Sequence, residues 1–427
     1  MLKAIESKSQ EQQIRDLSSH NNEPGWMLQK RLAAFDVFNS KQMPDFVYGS
    51  NIKMDIGLDF GKIDADLNKT NIKISNSNKN IIIENFSDAL KNHESILKEK
   101  LMSIVPAADK FTAFHNAFFN NLTFVYVPEN TDAKEPIELV YEIGSDSIEH
   151  LIVLVEDNSK ITLVENSKSS SNNKEFNENN PIKNNNLINR KNSNSTNNNS
   201  NENNIFRSRI VEIFIGKNSI VNYEDAQLLN KNSFNFSVKR ASVGADSAIS
   251  WMDCCIGSKT TLSEVTTMLN GCGASAKNYG MFFGSNRQQF GLSARSIHNA
   301  PKTFSDILTK GALAGSGKCI YRGLVKIGRN ALGSEGHQKE DALLLSANAA
   351  ASSIPNLEID NNEVKCTHGA SIGRIDREKL FYMMSRGLSE KQSEKEYVKG
   401  FFEELMKKIQ TMGIRESINK IIEERIG

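Results

Sequence analysis

The feature that most constrains the fold is a long series of short apolar segments between residues 111 and 374. Small or polar residues separate the segments, and a helical pattern of ten or more residues does not intervene. Short strand-like runs without intervening helices disfavour a βαβ sheet. Representative segments are LTFVYV (122–127), PIELVYEI (136–143), AISWMDCCI (248–256), CIYRGLVKI (319–327) and ALLLS (342–346).

Clusters of small residues lie between these segments. Examples are VGADS (243–247), NGCGAS (270–275), GALAGSG (311–317), GRNALGS (328–334) and HGASIG (368–373). A solenoid needs small residues where the chain turns at the edge of each coil, because bulky side chains would clash there. The intervals are irregular, so the pattern is not a strict repeat. Asn-Gly and Asp-Gly hairpin signals are few, which disfavours a sandwich. We therefore predict a β-solenoid.

Helical periodicity marks both ends of the chain. Apolar residues recur at helical spacing in Trp26–Phe38 and in Ser87–Ser103. After Asp376, a good N-cap, Leu380 and Met383 begin a second helical region. The predicted organisation is an N-terminal helical region at 1–108, a β core at 109–375 and a C-terminal helical domain at 376–427.

One segment inside the core has a very different composition. Residues 166–204 contain 18 Asn among 39 residues, with few large apolar side chains. Such a segment buries too little surface to offset its ordering entropy. Because strand-like sequences flank it on both sides, we predict a disordered insertion within the core domain.

The overall charge is nearly balanced, with 52 Lys and Arg against 51 Asp and Glu. This balance argues against a nucleic-acid-binding protein. The N-terminus MLKAIESKSQEQQIRDL is charged throughout, and long apolar runs are absent, so we expect neither a secretory leader nor a membrane span. Five cysteines without a C-x-x-C pair indicate free thiols and a cytoplasmic location.

The sharpest candidate for chemistry is Cys366-Thr367-His368. In a strand, residues i and i+2 project from one face, so the thiol and the imidazole would lie together. Both groups suit iron or zinc, but two ligands are too few for a closed site, and a partner would have to complete it. The alternative is a buried structural cysteine beside a hydrogen-bonded histidine.

Two other motifs favour structural roles. Residues 312–319, ALAGSGKC, resemble a phosphate loop, but Cys319 replaces the magnesium-binding hydroxyl and a strand follows. The polar stretch 337–341, HQKED, is expected to be an exposed strand or turn. Catalytic triads, H-E-x-x-H and dinucleotide fingerprints are absent from the sequence, so the residues alone name no reaction.

The remaining cysteines and histidines also favour structural roles. Cys254 and Cys255 cannot face the same way in a strand, so one of them is expected in the core and a shared metal is disfavoured. His115 and His298 lie in apolar surroundings and are interpreted as hydrogen-bonded structural histidines.

Several long segments together resemble the SufB/SufD family of iron–sulfur cluster assembly scaffolds. The strongest is NLEIDNNEVKCTHGASIGRIDREKLFYMMSRGL (356–388). Others are EPGWMLQKRLAAFDVFNSKQMPDF (23–46), FTAFHNAFFNNLTFVYVPENTDAKEPIELVY (111–141), IGSKTTL (256–262) and IHNAPKTFSDILTKGAL (297–313). The Asn-rich segment has no counterpart in the family.

The resemblance implies a right-handed parallel β-helix between helical domains. It also implies a non-catalytic scaffold that pairs with a SufB-type subunit through the β-helices. A transient iron–sulfur cluster would be built at that interface. A SufC-type ABC ATPase would dock on the C-terminal helices, and we place this contact at Phe381, Tyr382, Arg386 and Gly387. Whether a flavin takes part stays open.

The resemblance favours a SufD-type subunit. Where SufB has a ligand cysteine before its Asp-x-Leu-Leu stretch, this chain has Glu340, and Thr267 occupies a further SufB cysteine position. Cys366-Thr367-His368-Gly369-Ala370 has the SufD form, whereas YRGLVKI (321–327) is closer to SufB. The candidate site for the nascent cluster is therefore His368, Cys366 and Glu340.

Two alternative functions stay open at this stage. The chain could be a self-sufficient homodimeric scaffold of the SufB kind. It could also be a β-helix carbohydrate-active enzyme, although paired carboxylates at i, i+2 spacing, which such enzymes use as acid and base, are scarce.

Overall fold

A computed structural model describes residues 2–44, 52–63, 70–170 and 205–426. It is mainly β, with a β-solenoid of about eight turns and helices at both ends, which confirms the predicted fold. None of the helices in these ranges is long and apolar enough to cross a membrane.

The solenoid consists of two nine-stranded sheets. In chain order the strands are β1 Thr70–Ser75, β2 Ile82–Asn85, β3 Asn121–Val127, β4 Ile137–Ile143, β5 Ser147–Val155, β6 Lys160–Ser169, β7 Phe206–Ile215, β8 Ile220–Leu228, β9 Phe234–Val243, β10 Ala248–Cys255, β11 Thr260–Leu269, β12 Ser275–Gly284, β13 Gln289–His298, β14 Phe304–Leu313, β15 Lys318–Ile327, β16 Glu335–Leu344, β17 Ala350–Ile359 and β18 Lys365–Arg374.

From β3 onward the strands alternate between the two sheets, and neighbours within a sheet are parallel. Sheet A runs from β1 through the even-numbered strands β4 to β18, and sheet B runs from β2 through the odd-numbered strands β3 to β17. Only the first pairs, β1 with β4 and β2 with β3, are antiparallel among the strands described. Alternate side chains of each strand therefore point into the space between the sheets, here called the lumen.

One corner of the solenoid is built from residues in the left-handed region. Asn158, Asn218 and Asp246 have φ of 57°, 52° and 54° in successive coils. Asn and Asp tolerate this region better than most residues do. Beside them the Ser159 amide donates to the Ser219 hydroxyl, and the Ser219 amide donates to the Ser247 hydroxyl, at 2.9 Å each. This ladder fixes how the coils stack.

Helices at both ends of the chain cover parts of the outer faces of the sheets. Their bounds are α1 Leu2–His20, α2 Gly25–Ser40, α3 Phe86–Asn92, α4 Glu94–Lys100, α5 Lys110–Phe118, α6 Arg377–Ser385, α7 Glu390–Met406 and α8 Met412–Ile426. Helices α2 and α5 pack on the first coils of sheet B, and α7 and α8 pack on the middle of sheet A. The core thus consists of a lumen and two outer apolar layers.

Most predicted elements are present, with two differences at the N-terminus. The predicted helix at 87–103 is two helices, because the chain breaks at His93 between α3 and α4. The region predicted as helical also contributes β1 and β2 to the solenoid. The insertion was predicted at 166–204, but residues 166–169 belong to strand β6. Residues 171–204 of the predicted insertion fall outside the described ranges.

Candidate functional site

Cys366 and His368 lie on the same face of the last strand, as predicted. In the parallel register of β16 and β18, Cys366 is opposite Gly336 and His368 is opposite Gln338. Both positions face the lumen at its last coil. Cys366 is half-buried at the margin of the lumenal apolar cluster, and burial raises the pKa of its thiol. His368 is exposed.

Glu340 lies one strand earlier and also points into the lumen. Its side chain is buried, with 1% of its surface exposed, and burial raises the pKa of its carboxyl group to about 7. The Ser353 hydroxyl of β17 is close enough to lower this pKa, and the Asp341 carboxylate raises it. Even so, none of the described residues completes a hydrogen bond to either Glu340 oxygen.

The three predicted ligands share one face of the lumen but do not form a closed metal site. In the described parts of the chain, His, Cys, Asp and Glu side chains nowhere gather in a group of three or more that could hold a metal ion. Cys366, His368 and Glu340 therefore lie near one another at the end of the solenoid, and their role as ligands stays a prediction.

The sequence interpretation missed Gln338, which lies beside Glu340 in the lumen. Gln338 is 3% exposed, and neither its amide oxygen nor its amide nitrogen has a hydrogen-bond partner among the described residues. Gly323 of β15 makes room for it, because a Cβ at that position would lie 2.0 Å from the Gln338 nitrogen. Every second residue of a strand points the same way, so the small residues Gly336 and Ala342 could have indicated that Gln338 and Glu340, which lie between them at the same spacing, face the lumen.

The prediction of an exposed polar stretch at 337–341 is therefore right for one face and wrong for the other. His337 is on the outer face and shares a 2.8 Å hydrogen bond with the Thr367 hydroxyl. Lys339 and Asp341 form an outer ion pair at 3.1 Å. Gln338 and Glu340, which alternate with these three residues, are buried. They lie on the lumenal face, because a parallel solenoid strand has a lumenal face as well as an outer one.

The remaining predicted positions have structural roles. Cys254 and Cys255 are both buried, one in the outer layer under α7 and α8 and the other in the lumen, because sheet A is covered on both faces here. His115 and His298 are buried and hydrogen-bonded, as expected. Residues 312–319 span the end of β14, the corner at 314–317 and the start of β15, with Gly315 at φ 63°.

The lumen contains a column of acidic residues that ends at Glu340. Strand register aligns Glu165, Asp225, Asp253, Gly280, Thr309 and Glu340 on successive strands of sheet A. We call this row of six the acid column, because four of its residues, all but Gly280 and Thr309, are acidic. Arg209 forms an ion pair with Glu165, and Lys239 lies 2.6 Å from Asp225 and 2.9 Å from Asp253. Only the first three acids have lumenal bases among the described residues.

The coil that carries the candidate ligands is also the open end of the solenoid. β17 and β18 are the last strands of their sheets, so neither pairs with a further strand in the described ranges. Ile359 and Ile372 are 44% and 41% exposed there. An unpaired sheet edge with exposed apolar residues is a template for pairing with another chain.

Helix α6 presents a second exposed apolar surface. Asp376 caps its N-terminus as predicted, and none of its residues is fully buried. Phe381 and Tyr382 are 73% and 59% exposed. The Arg386 guanidinium lies 5.3 Å from the Tyr382 ring centre, and Gly387 ends the helix with φ 99°.

Comparison with known proteins agrees with this architecture. Residues 185–401 match the family described as SUF system FeS cluster assembly, SufBD core domain. An iron–sulfur cluster assembly SufBD family protein of Staphylococcus haemolyticus is 27% identical over 453 residues, covering 96% of this chain and 91% of the relative. A protein of the same description from Staphylococcus aureus is 26% identical with the same coverage.

The family match covers more than half of the chain and contains the last coils of the solenoid and most of α7. It therefore includes the candidate ligands, the acid column from Asp225 onward and the open end. The chain belongs to the SufBD family of iron–sulfur cluster assembly proteins.

Proposed function

We propose that this protein is a non-catalytic scaffold subunit of an iron–sulfur cluster assembly complex, of the SufD type. It pairs through the open end of its solenoid with a SufB-type subunit. The nascent cluster is the cargo of that interface. The observation that carries the proposal is that Cys366 and His368 lie on the last, unpaired coil, where a second chain would complete the ligand set.

The predicted ligands differ in what they offer. The exposed imidazole of His368 is accessible to a cargo at the interface. Cys366 is a weaker ligand until its thiol loses a proton, because burial raises its pKa. Glu340 could supply an oxygen ligand only from beneath the last coil, since its side chain is buried there.

A SufC-type ATPase is proposed to dock on α6. An exposed aromatic pair, Phe381 and Tyr382, next to Arg386 has the composition of a protein-binding surface. ATP hydrolysis then belongs to that partner.

The first test is coexpression of this chain with SufB-type and SufC-type subunits, followed by size exclusion with mass measurement. A complex that contains all three chains is expected. Elution of this chain alone would contradict the proposal, and a mass of two copies without the SufB-type subunit would favour the homodimeric alternative, since the same open end can pair with a second copy.

The second test addresses the candidate ligand. His368→Ala should leave the complex assembled but lower the rate at which a client apoprotein receives its cluster. His20→Ala, which removes an exposed histidine of α1, is the matched control. Unchanged cluster transfer by the His368 variant would rule out this histidine as a ligand.

A further inference from the structure

The first acids of the acid column show how the lumen satisfies a buried carboxylate. In each case the base comes from a strand of sheet B that adjoins the acid in chain order. Arg209 of β7 pairs with Glu165 of β6, and Lys239 of β9 pairs with Asp225 of β8 and Asp253 of β10. Buried charges need such partners, since an unpaired charge in a dry interior is strongly unfavourable.

Glu340 lacks a base at either of the corresponding positions. Along sheet B, the residues aligned with Arg209 in the last two strands are Tyr321 of β15 and Ser353 of β17. The residues aligned with Lys239 in the same strands are Gly323 and Pro355. None of these four side chains is basic. The last coils therefore have an acidic residue at the aligned acid position but no basic residue at the aligned positions of Arg209 and Lys239.

Two further groups at this place are also unsatisfied. The Gln338 amide and the Ser353 hydroxyl have no hydrogen-bond partner among the described residues, and Gln338 is almost fully buried. Buried polar side chains are nearly always hydrogen-bonded in folded proteins. Three neighbouring lumenal residues of these coils therefore lack a complete hydrogen bond among the described residues, with the Ser353 hydroxyl close to Glu340.

The open end gives access to these groups. Ala370 of β18 is opposite Glu340 in the register, so only a small side chain covers it from the last coil. Helices α7 and α8 pack on the outer face of sheet A and not across this end.

We propose that a lysine or arginine side chain from the partner subunit enters the lumen past Ala370 and pairs with Glu340. The Gln338 oxygen and the Ser353 hydroxyl oxygen accept its remaining N–H groups. This inference rests on the proposed pairing of the open end with a SufB-type subunit, and it gives that pairing a specific polar anchor.

A basic side chain suits the lumen better than an iron ion does. The other lumenal acids with described partners pair with Arg or Lys. Among the described residues, Glu340 also belongs to no group of three or more His, Cys, Asp and Glu side chains that could hold a metal ion. A role for Glu340 in holding iron is therefore the competing outcome of the test.

The experiment uses Glu340→Gln and Glu340→Leu in the full chain, with two measurements on each variant. One is the free energy of unfolding of the free chain in urea, and the other is the dissociation constant for the SufB-type subunit. The matched control is Asp341→Asn, which removes the adjacent acid on the outer face of the same strand.

We expect the two measurements to move in opposite directions. The free variants become more stable, because a buried unpaired acid is removed. Their affinity for the partner falls by about 30-fold or more, because the partner's base is left buried without its acid. The control variant should keep its affinity within about twofold, as outer ion pairs contribute little.

Three results would overturn the inference. An affinity of the Glu340 variants within about twofold of wild type would remove the anchor, whether Glu340 then holds iron or only water. Self-association that weakens on substitution would assign the base to a second copy. Absence of any complex between the wild-type chain and a SufB-type subunit would instead refute the proposed function itself.

Discussion

The two ends of the acid column differ in one respect that bears on function. At the N-terminal end, Glu165, Asp225 and Asp253 are paired with Arg209 and Lys239 inside the lumen. At the C-terminal end, Glu340 is equally buried but unpaired among the described residues. The acids share one aligned position of sheet A, and only those at the N-terminal end have bases beside them among the described residues.

This contrast separates a part of the solenoid that is complete within one chain from a part that is not. The paired end lies beneath α2 and α5 and is closed by the antiparallel strands β1 and β2. The unpaired end lies at the edge strands β17 and β18. Because unsatisfied buried groups and unpaired strands lie at the same end among the described residues, we propose that a partner subunit completes this surface.

The largest expected effect comes from breaking the paired end. Lys239→Met leaves Asp225 and Asp253 buried without their base, so we expect the free energy of unfolding to fall by about 3–5 kcal/mol in urea titrations. Lys326→Met, which breaks an exposed 2.9 Å pair with Glu358, is the control and should change it by less than about 1 kcal/mol. If Lys239→Met lowers the free energy of unfolding by less than about 1 kcal/mol, the lumenal ion pairs do not contribute appreciably to stability.

The opposite sign is expected at the unpaired end. The pKa of Glu340 is raised by burial from its ordinary 4.5 to about 7, so the folded chain binds more protons than the unfolded chain between these values. Stability is therefore lost as the pH rises through this window, and Glu340→Gln removes the loss. The variant should be more stable by up to about 3 kcal/mol at pH 8 and equal to wild type near pH 4. A destabilised variant at pH 8 would imply a partner for Glu340 within the chain.

A steric change at the unpaired end should have an intermediate effect. A Cβ on Gly323 would lie 2.0 Å from the Gln338 amide nitrogen. Gly323→Ala should therefore lower the free energy of unfolding by about 1–3 kcal/mol through overpacking. The double variant with Gln338→Ala should recover most of this loss, and failure to recover would place Gln338 elsewhere.

The smallest expected effect lies beneath the N-terminal helices. Burial, and then the neighbouring His150, lowers the pKa of His115 well below its ordinary 6.5. Below pH 6.5 the unfolded chain takes up a proton that the folded chain does not. The free energy of unfolding therefore decreases as the pH is lowered, by about 1 kcal/mol at pH 5.5.

This fall should be measured in the Glu340→Gln background, because Glu340 acts in the opposite direction over the same pH range. Urea titrations at pH 7.5 and 5.5 would show the fall in that background and its absence after the further change His115→Gln. A fall that persists without His115 would assign the pH dependence to another group.

The fold could be predicted from the sequence because strand length and small corner residues are local signals. The regular spacing of the coils could not be predicted, because the long insertion separates Asn158 from Asn218, which occupy equivalent corners. The shared face of Cys366 and His368 followed from strand alternation. The same rule applied to 336–342 would have placed Gln338 and Glu340 in the lumen.

Other properties depend on contacts between distant parts of the chain. The break at His93 and the exposure of α6 are set by what packs around them, and helical periodicity carries no such information. The acid column requires the register of strands that are far apart in the chain, so composition alone cannot reveal which acids have bases. The unpaired state of Glu340 becomes evident only when that register is known.

The most direct measurement of the central claim is amide hydrogen exchange of this chain with and without a SufB-type subunit. If the open end is the pairing surface, exchange should slow by at least about tenfold in β17 and β18 and stay unchanged in the corner at 158–159. Unchanged exchange in both edge strands, within a complex that demonstrably forms, would contradict the claim that the end of the solenoid is where the partner binds.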